Sequence, residues 1–291
     1  MTKAVVGIIG GSGVYELPGL EEIRDEWVAT PWGEPSDALR IGRIGKTVAV
    51  FLPRHGRGHK LSPSGINYRA NIDALKRAGV TDIVSVSACG SFKPELFPGL
   101  FMLVDQFIDR TFARQNSFFG NGCVAHVSMA HPVSPLLRER IAAAAAAEKI
   151  SYVSGGTYVC VEGPQFSSLA ESLAYKAASG DVIGMTAMPE AKLAREAEMS
   201  YATIAMVTDF DCWHPKHDNV DVASVIKVVE ANASNAAKLL ARFLRDFPEE
   251  HEPCPAGSDR ALDQALLTPP SARDPDLMKK LEAIMRRVSQ S

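Results

Sequence analysis

Residues suited to binding an anion follow three of the short apolar segments that predict β-strands. The basic sequence RHGRGH (54–59) comes directly after the apolar segment 48–52, and its guanidinium and imidazole groups suit an oxyanion. The sequences GGSG (10–13) and SACGS (87–91) lie at the ends of two further predicted strands. Their glycines let backbone amides approach an anion, and their hydroxyls can donate hydrogen bonds. Because strand ends of an open α/β sheet converge on one crevice, the three segments together predict a phosphate site.

Two other ligands fit these segments less well. A dinucleotide site needs a third glycine opening a helix, but Glu16 stands at that position and Leu17-Pro18-Gly19 would interrupt a helix. His55 and His59 have the spacing of a zinc-binding pair, yet no nearby cysteine or carboxylate completes a ligand set. We therefore expect neither a nicotinamide dehydrogenase nor a metal site.

A pair of carboxylates follows another predicted strand, in the sequence TDFDCW (208–213). If the strand continues, Asp209 and Asp211 point to the same side of it. Burial beside a second carboxyl would raise the pKa of Asp209 and suit it to general acid catalysis. The alternative is a solvated turn at a strand end. The sequences EGPQFSS (162–168) and GMTAMPE (184–190) argue against that alternative.

These residues require a sheet with its strand ends at one edge. The apolar segments that predict strands are Ala4–Ile9, Val48–Leu52, Asp82–Ala88, Leu100–Val104, Thr157–Val161, Asp181–Gly184 and Ala202–Thr208. Helical spacing of apolar residues predicts a helix from Tyr68 to Ala78 and a long one from Val222 to Phe243. The alternation predicts an α/β fold: a single domain with a central mixed, largely parallel β-sheet flanked by helices.

The proline- and glutamate-rich sequence after Pro248 predicts a change in organisation. We expect a body over residues 1–248 and a C-terminal extension over 249–291, docking on the body or on an adjacent subunit. Apolar residues from Leu277 to Met285 predict one short amphipathic helix in that extension.

Composition excludes several classes of protein. Lysine and arginine total 31 against 34 aspartate and glutamate, and this net charge of −3 argues against nucleic acid as a partner. No apolar run approaches the roughly 18 residues of a membrane span, so we expect no membrane association. The five cysteines are an odd number, widely spaced and without a CxxC pair. That usage predicts reduced thiols and a cytoplasmic protein.

Seven sequences occur together in the order and spacing of a known family: GIIGGSG, RHGRGH, SACGS, DQFIDRT, EGPQFSS, GMTAMPE and TDFDCW. From about Val5 to Leu244 the chain resembles the 5′-methylthioadenosine phosphorylases, which belong to the trimeric branch of the purine nucleoside phosphorylases. The resemblance implies phosphorolysis of 5′-methylthioadenosine to adenine and 5-methylthioribose 1-phosphate, a step of purine and methionine salvage. It also implies a homotrimer with active sites near the subunit interfaces, and no cofactor, because inorganic phosphate is a co-substrate.

The resemblance also implies residue roles. Phosphate is expected to contact Ser12, Arg54, His55, Ser87, the amide of Ala88, and Thr186. Met185 is expected under the ribose, Phe166 against the purine face, and Asp209 and Asp211 at the adenine edge, with Asp209 the catalytic acid. The methylthio group is expected among Val222, Val225 and His126. His126 would come from the adjacent subunit, as would a C-terminal leucine, either Leu266 or Leu267.

The same residues predict which nucleoside is preferred. A carboxylate accepts a hydrogen bond from the 6-amino group of adenine but opposes a 6-oxo group. Valine offers no partner to a 5′-hydroxyl and suits a thioether. We therefore expect methylthioadenosine to be preferred over adenosine, and adenosine over inosine. The alternatives are a 6-oxopurine nucleoside phosphorylase and a non-catalytic nucleoside-binding protein.

Overall fold

The computed structural model describes residues 2–11, 17–214 and 222–289, and at 222–224 it describes the backbone alone. The strands are β1 (Val5–Gly10), β2 (Glu21–Glu26), β3 (Leu39–Ile44), β4 (Thr47–Pro53), β5 (Asp82–Ser91), β6 (Phe101–Leu103), β7 (Gln106–Arg110), β8 (Tyr152–Ser154), β9 (Thr157–Val161), β10 (Val182–Gly184) and β11 (Ser200–Asp209). The helices are α1 (Tyr68–Arg77), α2 (Pro135–Ala147), α3 (Leu169–Ala177), α4 (Ala187–Glu196), α5 (Val222–Arg245), α6 (Pro275–Lys280) and α7 (Arg286–Ser289).

The strands form one mixed sheet, which confirms the predicted fold class. Its main path runs β2-β3-β4-β1-β5-β10-β9-β7, and β11, β6 and β8 branch from β5. The pairs at the centre, β1 with β4 and β5 and β5 with β11, are parallel. Consequently the carboxyl ends of β1, β4, β5 and β11 lie at the same edge of the sheet.

The branch arises because β5 changes partners along its length. Along one side, β11 pairs in parallel with β5 from Asp82 to Gly90. Along the other side, Asp82–Ser85 pair in parallel with β1, and Gly90 and Ser91 then pair antiparallel with β10. The register between β5 and β11 shifts between Val207 and Asp209, which is a local bulge. Bulges of this kind re-aim side chains, and here the shift falls at the predicted catalytic acid.

Helices cover both faces of the sheet and bury two large apolar clusters. One cluster lies between the sheet and the side bearing α1 and α4, and the other between the sheet and α2 with α5. The apolar stripe of α5, which includes Leu240 and Phe243, supplies part of the second cluster. Every one of the seven predicted strands is present. Four further strands, β2, β3, β7 and β8, were not predicted.

The C-terminal extension docks on the body of the same chain. His251 Nδ1 lies 2.8 Å from Asp82 at the start of β5, and its Nε2 lies 2.5 Å from Asp259. Arg287 pairs with the buried Glu198 at 2.5 Å. The prediction of one continuous helix is wrong, because α6 ends at Lys280 and α7 begins at Arg286. The intervening residues form a turn that still buries the predicted apolar side chains.

Within the described residues, no helix is both long enough and apolar enough to cross a membrane.

Candidate functional site

A cavity of about 660 Å³ opens at the carboxyl ends of the central strands, between them and α5. The predicted site residues that line it are Arg54, His55, Ser87, Ala88, Phe166, Met185, Thr186, Asp209, Asp211 and Val225. Ser12 lies outside the described residues, as does the side chain of Val222. His126 lies elsewhere on the chain. One cavity therefore brings together the predicted anion-binding residues and the predicted carboxylate pair.

Arg54 is the central cation among the predicted anion-binding residues that line one half of the cavity. It follows β4 directly, its side chain is only 2% exposed, and its Nε donates to Glu190 Oε2 at 2.9 Å. Nη2 donates to Ser85 Oγ at 2.7 Å, and Nη1 donates to the Val86 carbonyl at 3.0 Å. Burial lowers the pKa of Arg54, but the charge and hydrogen bonds of Glu190 outweigh burial and raise it overall. The guanidinium is therefore permanently charged and fixed in direction.

His55 stands beside Arg54 as a neutral imidazole. Its Nδ1 lies 2.8 Å from the Leu61 carbonyl, and its ring stacks on His59 with centroids 4.2 Å apart. Burial lowers the pKa of His55 to about 4, and the neighbouring charge of Arg54 acts in the same direction. Because a carbonyl can only accept, Nδ1 carries the proton at neutral pH and Nε2 presents a lone pair.

Two hydroxyls, those of Ser87 and Thr186, lie in the same half of the cavity as Arg54 and His55. Ser87 Oγ, on β5, lies 3.3 Å from Thr186 Oγ1 and 3.2 Å from the buried Tyr158 hydroxyl. Thr186 occupies the N-cap position of α4 but makes no capping hydrogen bond, so its hydroxyl is available to the cavity. Ser87 and Thr186 are separated by 99 residues in sequence and meet because β5 and β10 are paired.

The two carboxylates meet in a different way from the one expected. Strand β11 ends at Asp209, and Asp211 lies in a turn with a positive φ of 49°. The backbone N–H of Asp211 donates to Asp209 Oδ1 at 2.8 Å. The strand does not continue to Asp211, and a tight turn sets the relation between the two carboxylates instead.

Burial raises the pKa of Asp209, as predicted, but Asp211 does not contribute to the rise. Its backbone N–H bonds to the Asp209 carboxyl and lowers the pKa, as does the Thr208 hydroxyl. The charge of Asp209 instead raises the pKa of Asp211, together with burial. Desolvation alone thus favours a proton on Asp209.

The surroundings of Asp209 can accommodate that proton. Thr208 Oγ1 lies 2.7 Å from Asp209 Oδ2 and 3.2 Å from the Cys89 carbonyl. A hydroxyl can donate to the carbonyl while it accepts from a protonated carboxyl. Gly90 is required beside this group, since an added Cβ would lie 2.7 Å from Asp209 Oδ1.

The remaining lining is largely apolar. Met185 follows β10, and Phe166 lies in the segment after β9 with 46% of its surface exposed. Val225, Ile226 and Val229 extend one turn of α5 along the cavity. Such a lining suits the faces of a purine and a ribose, and an apolar substituent at the far end.

His126 and the two C-terminal leucines lie together outside this cavity. The His126 N–H donates to the Ala265 carbonyl at 2.9 Å, and the Leu267 N–H donates to the Val124 carbonyl at 2.9 Å. Leu266 packs partly on the core, whereas Leu267 is 62% exposed. Leu267 is therefore the more exposed of the two leucines.

Some residues of the site were not identified from the sequence. Glu190, which holds Arg54, lies 136 residues away from it and was given no role from the sequence. Tyr158 lies behind Ser87 within a strand of ordinary apolar pattern. No local signal could have revealed either pairing. Among the described residues, no group of three or more His, Cys, Asp or Glu side chains is placed to hold a metal ion.

Comparison with known proteins agrees with this geometry. The family model of the phosphorylase superfamily matches residues 5–245. An S-methyl-5′-thioadenosine phosphorylase of Bradyrhizobium diazoefficiens is 67% identical over 288 residues, which is 99% of each chain. A relative with the same name from Cereibacter sphaeroides is 58% identical over 286 residues, covering 98% of this chain and 99% of that one.

Solved structures give the same result. A methylthioadenosine phosphorylase from an antarctic soil metagenomic library superposes with a TM-score of 0.91 at 44% identity, covering 98% of this chain and 99% of that one. A methylthioadenosine phosphorylase from Schistosoma mansoni in complex with adenine gives a TM-score of 0.77 at 38% identity, covering 83% of this chain and 91% of that one. The chain belongs to the phosphorylase superfamily and, within it, to the family of the S-methyl-5′-thioadenosine phosphorylases.

Proposed function

We propose that the protein cleaves 5′-methylthioadenosine with inorganic phosphate, giving adenine and 5-methylthioribose 1-phosphate. The observation that carries this proposal is that one cavity is lined both by a buried cation with two hydroxyls and by a pair of carboxyls. Its relatives at up to 67% identity bear the name of that activity. The site needs no metal or organic cofactor, because the co-substrate itself supplies the nucleophile.

The proposed reaction assigns a role to each half of the cavity. A phosphate oxygen attacks C1′ of the ribose, the C–N bond breaks, and its electron pair passes to the purine. Arg54, Ser87, Thr186 and the amide of Ala88, with Ser12, hold the anion, and Nε2 of the neutral His55 accepts a hydrogen bond from a protonated phosphate oxygen. The negative charge of phosphate also stabilises the oxocarbenium-like sugar.

Asp209 is proposed to give its proton to N7 of the departing adenine. Burial raises the pKa of Asp209, which favours the protonated form that a general acid requires. Asp211 is proposed to accept a hydrogen bond from the 6-amino group. Phe166 would pack on the purine and Met185 under the ribose, with Val222 and Val225 around the methylthio group.

We further propose a homotrimer in which His126 and Leu267 complete a neighbour's site. The two residues lie on adjacent, hydrogen-bonded surface segments of this chain and outside its own cavity, and this placement supports the proposal. Light scattering is expected to give three times the mass of the chain. A monomeric mass with full activity would contradict the homotrimer.

A role in purine and methionine salvage and a cytoplasmic location belong to the proposed function as well.

The decisive experiment follows free adenine with methylthioadenosine in the presence and absence of phosphate. Release is expected only with phosphate, and it should persist in a metal chelator. A parallel assay with inosine and methylthioinosine separates the 6-oxopurine alternative, since that enzyme would prefer them. Tight binding of adenine without any turnover would instead indicate a non-catalytic nucleoside-binding protein.

A further inference from the structure

A second buried arginine, Arg114, lies behind the cavity without lining it. It belongs to the segment after β7, and its side chain is only 1% exposed. All three of its nitrogens donate hydrogen bonds to protein acceptors. Nε donates to Glu162 Oε1 at 3.1 Å, and Nη2 donates to the Glu162 carbonyl at 2.8 Å. Nη1 donates to the Met185 and Met188 carbonyls, both at 2.6 Å.

The carboxylate and carbonyl acceptors of Arg114 belong to two separate segments that carry cavity residues. Nη1 also donates to the Tyr68 hydroxyl on α1, at 3.0 Å. Glu162 begins the segment from β9 to α3, which contains Phe166. Met185, which lines the cavity, lies between β10 and α4, and Met188 lies in the first turn of α4. Arg114 is thus a bridge between the strand ends that carry the proposed purine and ribose contacts.

The bridge is itself held in place. The Glu162 carboxylate accepts from the Phe112 N–H at 2.7 Å and the Ala113 N–H at 3.1 Å, which fixes the segment leading to Arg114. It also accepts from the Ser64 hydroxyl. Burial raises the pKa of Glu162, but these hydrogen bonds and Arg114 outweigh burial and lower it to about 2. Glu162 is therefore fully charged at neutral pH.

The phosphate half of the cavity has different support. Arg54 bonds to Glu190, Ser85 and the carbonyls of Ile9 and Val86, and none of these is an acceptor of Arg114. Thr186 lies between Met185 and Met188, so Arg114 also supports that proposed phosphate contact. Loss of the Arg114 bridge should therefore disturb the nucleoside contacts more than the phosphate contacts.

We propose that Arg114 is a positioning residue for the nucleoside, which holds the segments bearing Met185 and Phe166 at the separation that the substrate requires. The proposal deepens the proposed function and rests on it. Lysine cannot substitute, because one ammonium nitrogen cannot reach acceptors spread along two segments as a planar guanidinium does. A misplacement of about 1 Å can reduce a rate by about 100-fold.

The test compares Arg114→Lys with Arg195→Lys. Arg195 is a matched control, because it is also buried and bonds backbone carbonyls, those of His131 and Ala256, away from the cavity. For Arg114→Lys we expect KM for methylthioadenosine to rise at least about tenfold, with KM for phosphate within about twofold. For Arg195→Lys both KM values should stay near those of the wild type, whatever its melting temperature.

Equal KM values in the two variants would overturn the proposal and leave Arg114 a purely structural residue. If Arg114→Lys does not fold, Glu162→Gln decides in its place, with a smaller rise in the nucleoside KM expected and no rise overturning the proposal. An inactive wild-type protein would instead refute the proposed function. In that case the dissociation constant of adenine, measured by calorimetry, replaces KM in the same comparison.

Discussion

The cavity has a proposed phosphate half, around Arg54, and a proposed purine half, around Asp209 and Asp211. The two halves hold their charged groups in opposite ways. In the phosphate half, Arg54 and Glu190 are oppositely charged, equally buried at 2% exposure, and 2.9 Å apart. In the purine half, Asp209 and Asp211 are like groups, and among the described residues neither forms an ion pair. Burial raises the pKa of both. In the phosphate half the opposite charges are paired before any ligand binds. In the purine half burial makes the ionised carboxylates unfavourable and so favours a bound proton.

The difference indicates how each half would work. A fixed guanidinium and fixed hydroxyls offer an anion a site that needs little reorganisation. A carboxyl that is poorly solvated holds a proton it can transfer to a leaving group. Removing a charged group should therefore lower the stability of the folded protein in the phosphate half but not in the purine half. Four substitutions test that contrast.

The largest effect is expected for Asp209→Asn. Loss of the proton donor should lower kcat on methylthioadenosine by about 10²–10⁴-fold. Its melting temperature should not fall, because the amide removes the cost of burying a charge. Folding raises the pKa of Asp209, so the stability it contributes is present below its unfolded pKa and is lost as pH rises through the folded value. Wild-type kcat should likewise fall as pH rises through that pKa.

Steady-state kinetics and thermal melts over a pH series measure these effects. Asp105→Asn is the control, because Asp105 pairs with Arg138 outside the cavity. An unchanged kcat in Asp209→Asn would remove Asp209 from the acid role. A strong loss of stability would contradict the contrast between the two halves.

The second substitution is Glu190→Gln in the phosphate half. It leaves Arg54 buried without a counter-charge, and breaking such a pair typically costs about 3–5 kcal/mol. Phosphate should restore part of that stability, because the bound anion replaces the missing charge. Urea unfolding with and without phosphate measures both effects. A loss no greater than that of the exposed Glu139→Gln would show that the pair does not stabilise this half.

A smaller effect is expected for Gly90→Ala. The added methyl group would lie 2.7 Å from Asp209 Oδ1 and 3.3 Å from the Asp211 backbone nitrogen, so the turn must shift. We expect kcat/KM for the nucleoside to fall by roughly 10- to 100-fold, with KM for phosphate little changed. Gly120→Ala is the control, since a Cβ there meets nothing within 4 Å. Equal losses for both substrates would mean that the halves are not independent.

The smallest effect is expected for Val225→Ser at the apolar end. A hydroxyl there can bond to the 5′-hydroxyl of adenosine and no longer suits a thioether. The preference for methylthioadenosine over adenosine should fall roughly tenfold, a typical value for one group in an apolar pocket. Competition between the two nucleosides measures it, with the exposed Ala231→Ser as control. An unchanged preference would place the methylthio group elsewhere.

Local patterns were enough to predict the central strands but not those at the margins. Strands such as β1 and β4 are nearly continuous apolar runs because helices cover both faces of the sheet. The sequence of β2, EEIRDE, is charged and wholly exposed, so it carries no such pattern. The C-terminal apolar residues were identified as buried, yet tertiary packing divided their segment into two short helices.

The residues of the site also divide into those that local sequence patterns predicted and those that they did not. The hydroxyl, basic and acidic residues could be recognised because each follows a strand, and parallel strands bring their ends to one edge. The partner of Arg54 could not be recognised, because Glu190 is 136 residues distant. The turn at Asp211 was also missed, since nothing in the sequence marks a positive φ at that residue.

The amino-acid sequence by itself determined the chemical inventory: an anion-binding set, a pair of carboxyls, an α/β order of elements and the family resemblance. The tertiary structure decided which of those groups are charged and where they point. Burial raised the pKa of Asp209, Glu190 fixed Arg54, and the partner change along β5 brought Thr186 to Ser87. Protonation and direction depend on desolvation and on contacts between distant segments, and neither exists until the chain has folded.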